Sequence, residues 1–218
     1  MQHKDITLPV FDKSQIAVRS RSLPHWEQEG GVYFVTFRTD DSVPVELLRA
    51  YEDEKRRLER FMSDAARDQL KEKHREKVRL YCRVIDRTLD TGLGACPLKG
   101  PAHASFMASV VAHFDRERYD LFAYAVMPNH VHAVLRCLGD HHLDDIMHSW
   151  KSFSATKLNR MLARRGTFWQ REYFDHLIRD QDDLLRFCRY VRDNPRKAGL
   201  KDWPWSWVAD EVGFLPPG

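Results

Sequence analysis

Two histidines stand one residue apart in an apolar part of the chain. Residues 127–134 read MPNHVHAV, in which Val131 separates His130 from His132. Side chains alternate between the faces of a β-strand, so both imidazoles would project from one face, about 7 Å apart at their Cα atoms. Two imidazoles at that spacing can bind one metal ion. Because the chain has 11 histidines, the pair alone is not specific, and an exposed polar strand face is the alternative.

A tyrosine and an asparagine lie one helical turn apart near the end of the chain. Tyr190 and Asn194 belong to a segment whose apolar residues recur at helical spacing, and a separation of four residues puts both on one side of the helix. Each residue also has an ordinary structural explanation. Tyr190 would bury its ring and expose its hydroxyl group, and Asn194 would end the helix before Pro195. The apolar positions of this helix are Leu184, Phe187, Cys188 and Val191.

The segments that position these residues predict an α+β fold. Residues 31–38 are rich in the β-branched and aromatic residues typical of a strand. Residues 120–127 and 130–137 predict a hairpin around Pro128-Asn129. The order of elements predicts one mostly antiparallel sheet with helices packed on one face, close to a ferredoxin-like sandwich. The remaining predicted elements are a helical stretch over 44–81, a loop over 86–101, helices over 102–114 and 143–161, a strand near 172–178, and a helix from Asp180, its N-cap, to Asn194, where Pro195 stops it.

Composition restricts the class of protein. The 218 residues are 43% hydrophobic and 31% charged, with a net charge of +3 and a pI near 8.7, which permits a nucleic-acid partner without requiring one. The four cysteines form no CxxC pair, so we expect free thiols and a cytoplasmic protein. No apolar run is long enough for a membrane span. We predict a single domain over 1–218, with a helical insertion at about 44–98 and an aromatic tail at about 201–218.

MPNHVHAVL, followed about sixty residues later by YVRDNPRKAGL, resembles the single-tyrosine HUH transposases and, more closely, the REP-associated tyrosine transposases of the IS200-like family. The resemblance implies that Tyr190 is the nucleophile and that His130, His132 and Asn194 hold the metal. The 44–98 segment departs from the family, in which a shorter link joins the first strand to the first helix. Supporting segments are RSLPHW and GVYFVTFR within 21–38, RYDLFAYAVMPNHVH over 118–132, FWQREYFDHLIRD over 168–180 and WPWSW over 203–207.

These residues suit metal-assisted cleavage of single-stranded DNA. A tyrosine oxygen that displaces a 3′-oxygen from phosphorus forms a 5′-phosphotyrosine bond, which conserves the ester for rejoining. Free tyrosine has a pKa near ~10, so a divalent metal must polarise the phosphate. Two imidazoles and an amide oxygen favour Mg²⁺ or Mn²⁺, whereas structural zinc sites more often carry thiolates.

The expected DNA surface rests on basic residues around the tyrosine and on the long helix. Such charges hold phosphates, although an ordinary solvated surface is an equal explanation for each one. Trp169 could stack on an unpaired base or belong to the core. The resemblance implies hairpin-forming single-stranded DNA as partner. It leaves open whether the protein acts as a monomer or as a homodimer. The candidate residues are Lys151, Lys157, Arg160, Trp169, Arg171, Arg189, Arg192 and Lys197.

Three other functions compete with the transposase hypothesis. A domesticated protein that binds hairpin DNA without cutting it would have no need of the full set of four site residues. Replication initiators and relaxases often carry a second tyrosine or a different motif order, and Tyr173 lies outside the last helix. An unrelated HxH hydrolase would need an acidic ligand near the histidines, and Asp140 is too far along the chain.

Overall fold

A five-stranded antiparallel sheet carries the histidine pair on its central strand. The computed structural model describes residues 17–20, 24–60, 76 and 80–212. Its strands are β1 Ala17–Ser20, β2 Pro24–Glu27, β3 Val32–Arg38, β4 Tyr119–Val126, β5 His130–Cys137, β6 Phe174–Ile178 and β7 Ser206–Val208. The large sheet has the order β6-β3-β5-β4-β7, and β1 and β2 form a separate hairpin. The predicted strand and hairpin around the histidines are therefore confirmed.

The helices complete a ferredoxin-like core. They are α1 Val45–Arg60, α2 Arg87–Asp90, α3 Pro101–Ala112, α4 Leu143–Met161 and α5 Gln181–Lys197. In the core, α3 connects β3 to β4 and α4 connects β5 to β6, and each connection passes over one intervening strand. The prediction of an α+β fold with an antiparallel sheet is confirmed.

Helices cover both faces of the sheet, which corrects the expectation of helices on one face. One core cluster joins α3 and α4 to Val35 and Val131, whereas a second cluster joins α5 to Phe34 and Val134. The burial of β3 explains this arrangement, because six consecutive residues from Val32 are buried. A strand with one wet face would alternate apolar and polar residues, so the continuous run VYFVTF indicates a strand covered on both sides.

The last helix begins where the sequence predicts but continues past the predicted end. The Asp180 side chain accepts a hydrogen bond from the Asp183 N–H, which confirms the N-cap. Pro195 lies inside the helix, which runs on to Lys197. Proline lacks only its own donor, and its carbonyl oxygen still accepts a hydrogen bond from the Leu200 N–H at 2.9 Å. The helix ends before Gly199, whose φ of 73° is the left-handed conformation that suits glycine.

The predicted loop over 86–101 begins with a helical turn. A π-helical segment, Cys82–Asp86, passes directly into α2, and the irregular chain starts only after Asp90. Ile85 and Leu89 are buried against Val43 and α1, so the segment is a packed element. The glycines that suggested a loop begin at Gly92, which leaves the preceding residues free to form a helix. Within the predicted insertion, residues 61–75 and 77–79 lie outside the described residues.

The aromatic tail docks on the edge of the sheet. β7 pairs with β4, and the Trp203 indole donates a hydrogen bond of 2.7 Å to the Val126 carbonyl oxygen. Residues 213–218 of the predicted tail lie outside the described part of the chain. In the part that the structure describes, no helix combines the length and the apolar character that crossing a membrane requires.

Candidate active site

The two imidazoles meet beneath the last helix. His130 and His132 are both 0% exposed, and their Nε2 atoms lie 3.0 Å apart. His130 Nδ1 is 2.7 Å from Asn129 Oδ1, and His132 Nδ1 is 2.8 Å from Thr36 Oγ1. Thr36 is opposite His132 in the pairing of β3 with β5, so the strand register places this hydroxyl group. Each imidazole therefore has one nitrogen fixed by a neighbour and one directed at the other ring.

The hydrogen bonds assign one consistent set of protons to this group. Because Asn129 Oδ1 can only accept, His130 Nδ1 donates to it and His130 Nε2 holds a lone pair. His132 Nε2 then donates to His130 Nε2, and the Thr36 hydroxyl group donates to His132 Nδ1. A metal at this point would need both Nε2 lone pairs. The His132 proton would then move to Nδ1, and the Thr36 hydroxyl group would accept it, since a hydroxyl can do either.

Burial keeps both imidazoles neutral. It lowers the pKa of His132 to about 3 and holds the pKa of His130 well below its usual range, with a smaller contribution from His132. Neutral imidazole is the form that binds metals. Two adjacent ligands of an octahedral ion with bonds of about 2.1 Å lie about 3.0 Å apart, which fits the Nε2 pair.

The tyrosine lies against the imidazole pair of its own chain. Tyr190 is on α5, with its ring centroid 5.3 Å from that of His132 and 5.7 Å from that of Phe34. Its hydroxyl group donates a hydrogen bond of 2.8 Å to Asp86 Oδ2. The Lys197 ammonium group lies 5.3 Å from the centre of the tyrosine ring. The predicted nucleophile and the predicted metal ligands on β5 are therefore brought together within one chain.

The asparagine offers one oxygen. Asn194 is 0% exposed, and its Nδ2 atom donates a long hydrogen bond of 3.4 Å to Asp90 Oδ1. Its buried Oδ1 atom accepts no hydrogen bond within the described part of the chain. Burial raises the pKa of Asp90, against the smaller opposing effects of Asn194 and Lys197. A buried acceptor without a donor is costly, so an Asn194 oxygen that binds a cation would be better satisfied.

The chemistry of this set fits a magnesium or manganese ion. Across the described residues, no group of three or more histidine, cysteine, aspartate or glutamate side chains could hold a metal. Any ion here would therefore be bound by two imidazoles and the amide oxygen of Asn194, which would leave coordination positions open for other ligands. Mixed nitrogen and oxygen ligands without thiolate are compatible with Mn²⁺ and Mg²⁺.

The basic residues expected to bind DNA occupy both sides of the molecule. Arg189 and Lys197 are exposed on α5, near the tyrosine, whereas Lys157 and Arg160 are exposed on α4, which packs on the opposite face of the sheet. The rest of the set is less available or lies elsewhere: Arg192 bonds Asp193, the half-buried Lys151 donates to the Arg171 carbonyl oxygen, and Arg171 is almost fully exposed.

Trp169 is a core residue, which corrects its inclusion in the DNA surface. It is 4% exposed, and its indole N–H donates a hydrogen bond of 2.9 Å to Ser154 Oγ. The ring packs at 4.8 Å from the ring of Phe37. No base can stack on a face buried in this way, and the aromatic character that suggested stacking serves packing between β3 and α4.

Sequence reasoning missed the residues that surround the site. Thr36 and Arg38 share a strand face with Phe34, and alternation along β3 could have indicated both. Arg38 pairs with His130 in register, burial lowers the pKa of its guanidinium group, and its Nε atom has no hydrogen-bond partner among the described residues. Asp86 and Asp90 had no sequence indication, since 104 residues separate each from its partner.

The four site residues fall within a stretch that matches a known family. The model of the family described as "Transposase IS200 like" matches residues 98–194, which include both histidines, Tyr190 and Asn194. This stretch of the chain is similar to the IS200-like transposases. Asp86 and Asp90 precede the matched stretch.

Two curated proteins to which this chain is similar carry a more specific name. Over 102 residues the chain is 29% identical to a Haemophilus influenzae protein named for the REP-associated tyrosine transposases, which covers 40% of this chain and 58% of that protein. Over 105 residues it is 28% identical to the REP-associated tyrosine transposase of Escherichia coli, which covers 45% of this chain and 61% of that one. The match thus spans about three-fifths of each relative.

Solved structures of transposases superpose loosely on this chain. A REP-associated tyrosine transposase bound to a REP hairpin has a TM-score of 0.47 and 16% identity, over 91% of this chain and 95% of the other. A Deinococcus radiodurans protein described as a transposase has a TM-score of 0.33 and 13% identity, over 75% of this chain and 89% of the other.

Proposed function

We propose that this protein is a transposase, a metal-dependent endonuclease and strand transferase for single-stranded DNA, with Tyr190 as the nucleophile. The observation that carries the proposal is the contact between the rings of Tyr190 and His132, at 5.3 Å between centroids, beside two imidazole Nε2 atoms that lie 3.0 Å apart. A phosphate held at that point would lie near the tyrosine oxygen. The product would be a 5′-phosphotyrosine bond and a free 3′-hydroxyl group.

His130, His132 and Asn194 would hold a Mg²⁺ or Mn²⁺ ion, which would polarise the scissile phosphate and offset its developing negative charge. The two histidines contribute neutral lone pairs and add no negative charge to repel DNA. Thr36 and Asn129 fix the orientation of the two rings through their Nδ1 atoms. Tyr190 supplies the attacking oxygen, and the covalent ester that it forms conserves the bond energy for rejoining.

The substrate that we propose is hairpin-forming DNA. The two curated relatives are named for REP-associated transposases, and the basic residues Arg189 and Lys197 flank the tyrosine on an exposed side of α5. Arg38, opposite His130 on the neighbouring strand, adds a half-buried cation beside the histidine pair. Positive groups in this position would hold the phosphates on either side of the cut.

Hairpin oligonucleotides taken from palindromes that flank the gene test the proposal. Each oligonucleotide carries a label at its 3′ end, because the strand linked to tyrosine is the one on the 3′ side of the cut. With Mn²⁺, the wild-type protein is expected to form a covalent adduct that resists denaturation, and Tyr190→Phe is expected to bind the hairpin without forming one.

A chelator should abolish the adduct and leave the hairpin bound. An adduct that persists in Tyr190→Phe would contradict the role of Tyr190. Tight binding without an adduct in either protein would instead support a domesticated hairpin-binding protein, the alternative function that the sequence left open.

A further inference from the structure

A helical segment from the insertion contacts both functional residues of α5. Asp86 accepts the hydrogen bond of Tyr190 at 2.8 Å, and Asp90 accepts that of Asn194 at 3.4 Å. The two acids are four residues apart, as are their two partners, so one turn of each helix faces one turn of the other. This matched spacing gives a carboxylate hydrogen-bond partner to each of the two α5 residues, Tyr190 and Asn194, that the proposed function places in the active site.

Asp86 is an unusual residue for a segment that only packs. It is 3% exposed and ends the π-helical stretch, between the buried apolar residues Ile85 and Leu89. Burying a carboxylate costs free energy unless it has hydrogen-bond donors, and π-helical turns occur frequently at functional sites. Asp86 accepts a hydrogen bond from the phenol that we assign as nucleophile.

We propose that Asp86 accepts the phenolic proton of Tyr190 during strand cleavage, and that Asp90 orients the amide of Asn194 so that its oxygen is available to a metal. This inference rests on the proposed function. Both acids lie outside residues 98–194, so the insertion would complete an active site that the family stretch alone leaves unfinished.

Strand cleavage at this site would exchange one phosphodiester for another. The bond from Tyr190 Oη to phosphorus forms, the bond from phosphorus to the 3′-oxygen breaks, and the phenolic proton passes to Asp86 Oδ2. The departing 3′-oxygen takes a proton from a buffer acid in the solvent, so one phosphodiester replaces another and Asp86 ends the step protonated. In the rejoining step, the 3′-hydroxyl group gives its proton to the solvent as it attacks phosphorus, and Asp86 returns its proton to the departing phenolate.

Asp90 acts one step further from the chemistry, as a positioning residue. The amide nitrogen of Asn194 points at the Asp90 carboxylate, which leaves the oxygen of the same amide without a hydrogen bond in the described structure. A carboxylate can accept but cannot donate, so it selects the orientation in which nitrogen, not oxygen, faces it. The role of Asp90 should therefore appear in metal affinity.

Single-turnover adduct formation on the 3′-labelled hairpin tests the role of Asp86. Asp86→Asn keeps the size of the side chain but cannot take up a proton. We expect it to lower the rate of adduct formation about 10²–10⁴-fold, the usual contribution of a positioned base, with hairpin affinity and thermal midpoint close to wild type. Asp140→Asn, an exposed acid in the turn before α4, is the control for the same change of charge.

A more acidic phenol separates proton transfer from a structural role. With 3,5-difluorotyrosine at position 190, the phenol needs less help from a base, so Asp86→Asn should cost at least tenfold less than with tyrosine. A residue that only supported the fold would lose the same factor with either phenol, which would overturn the proposal. If Asp86→Asn forms the adduct as fast as the wild type or faster, the proposal is also overturned, because Asp86 would then not assist proton transfer.

Calorimetry with Mn²⁺ tests Asp90. We expect Asp90→Asn to weaken Mn²⁺ binding about 10–100-fold, in line with other residues that orient metal ligands, whereas unchanged affinity would overturn its role. Adduct formation by the wild-type protein separates a failure of the proposed function from a failure of the role of Asp86 alone. If wild type forms no adduct, the proposed function fails and the role of Asp86 falls with it. If wild type and Asp140→Asn form the adduct and Asp86→Asn forms it equally fast, only the role of Asp86 fails.

Discussion

The active site has two halves that are held in different ways. The imidazole half belongs to the sheet, where His130 is fixed by the adjacent Asn129 and His132 by Thr36, its partner across two paired strands. The tyrosine half belongs to α5, where Tyr190 and Asn194 are held by Asp86 and Asp90 from a separate helical segment. One half depends on strand register and the other on the docking of two helices.

This difference indicates which half can adjust to DNA. Moving His132 away from Thr36 would require the central strands of the sheet to shift, which would break many backbone hydrogen bonds at once. Separating the Asp86–Asp90 segment from α5 breaks side-chain hydrogen bonds, such as those of Tyr190 and Asn194, between elements that are not paired through their backbones. Because the imidazoles are fully buried, a phosphate reaches them only when something moves, and we expect that movement in the tyrosine half.

The largest expected effect comes from truncating Phe34, whose ring contacts both halves of the site. The Phe34 ring lies 5.5 Å from the ring of His132, 4.5 Å from that of Phe187 and 5.7 Å from that of Tyr190. We expect Phe34→Ala to lower the free energy of unfolding by about 3–5 kcal/mol, as measured in urea, because it leaves a cavity between β3 and α5. The adduct formed per folded molecule should fall as well.

Phe37→Ala is the matched control for this prediction. Phe37 is on the same strand and is 0% exposed like Phe34, but it packs on the other face against Trp150 and Trp169. A similar loss of stability with normal adduct formation per folded molecule is expected. Equal loss of activity in both variants would mean that the two faces of the sheet are not independent.

The sequence predicted the sheet half of the site better than the helix half. The alternation of a strand is a local property, so His130 and His132 could be placed on one face from residues 127–134 alone. The positions of Tyr190 and Asn194 followed from helical periodicity. Their partners could not be predicted, because Asp86 and Asp90 meet α5 only through tertiary packing across 104 residues, in a segment whose later glycines favoured a loop.

Pro195 and Trp169 show how a correct local rule can be overridden. Proline removes one donor, but near the end of a helix the remaining carbonyl oxygens still find partners, so α5 continues to Lys197. An aromatic residue among basic residues suits base stacking, but Trp169 meets Phe37 and Ser154 in the core. Helices likewise cover both faces of the sheet because both faces of β3 are apolar. In the sequence, only the continuous apolar run of β3 indicated this.

A smaller effect should be confined to the sheet half. Thr36→Val keeps the volume of the side chain and removes the hydroxyl group that binds His132 Nδ1. We expect Mn²⁺ affinity, measured by calorimetry, to fall about 10–100-fold, since outer partners orient the imidazole. Hairpin affinity without metal should not change. Thr36→Ser, which restores the hydroxyl group, should recover most of the metal affinity, and failure to do so would point to packing instead.

The N-terminal end of α5 offers a test of the other half. His176, buried on β6, forms a hydrogen bond of 2.8 Å with Asp183 in the first turn of the helix. Burial alone would raise the pKa of Asp183, but the hydrogen bond and charge of His176, with the charges of Arg186 and Arg179, together hold it below its usual range. Because the folded state binds this proton more weakly, the stabilisation is present above the ordinary pKa of aspartate and is lost as pH falls through the folded value.

Asp183→Asn should therefore cost about 1–2 kcal/mol of stability at pH 7, and the cost should shrink as the wild type is acidified below about pH 4. Urea unfolding at a series of pH values measures the difference between the two proteins. Asp182→Asn, an exposed neighbour in the same helical turn, should follow the wild-type pH dependence. A constant difference between wild type and Asp183→Asn across the acid range would show that the carboxylate charge is not what anchors α5.

The smallest expected effect tests which face of the molecule binds the DNA. Lys197 lies over the ring of Tyr190 on α5, whereas Lys157 is exposed on α4, across the sheet from the site. If the strand to be cut follows α5, Lys197→Met should weaken hairpin binding a few-fold and reduce the slope of log affinity against log salt by about 1. Lys157→Met should leave that slope unchanged. Equal reductions in both variants would mean that the hairpin wraps around the edge of the sheet and contacts both faces, and a reduction in Lys157→Met alone would place the hairpin on α4, away from the tyrosine.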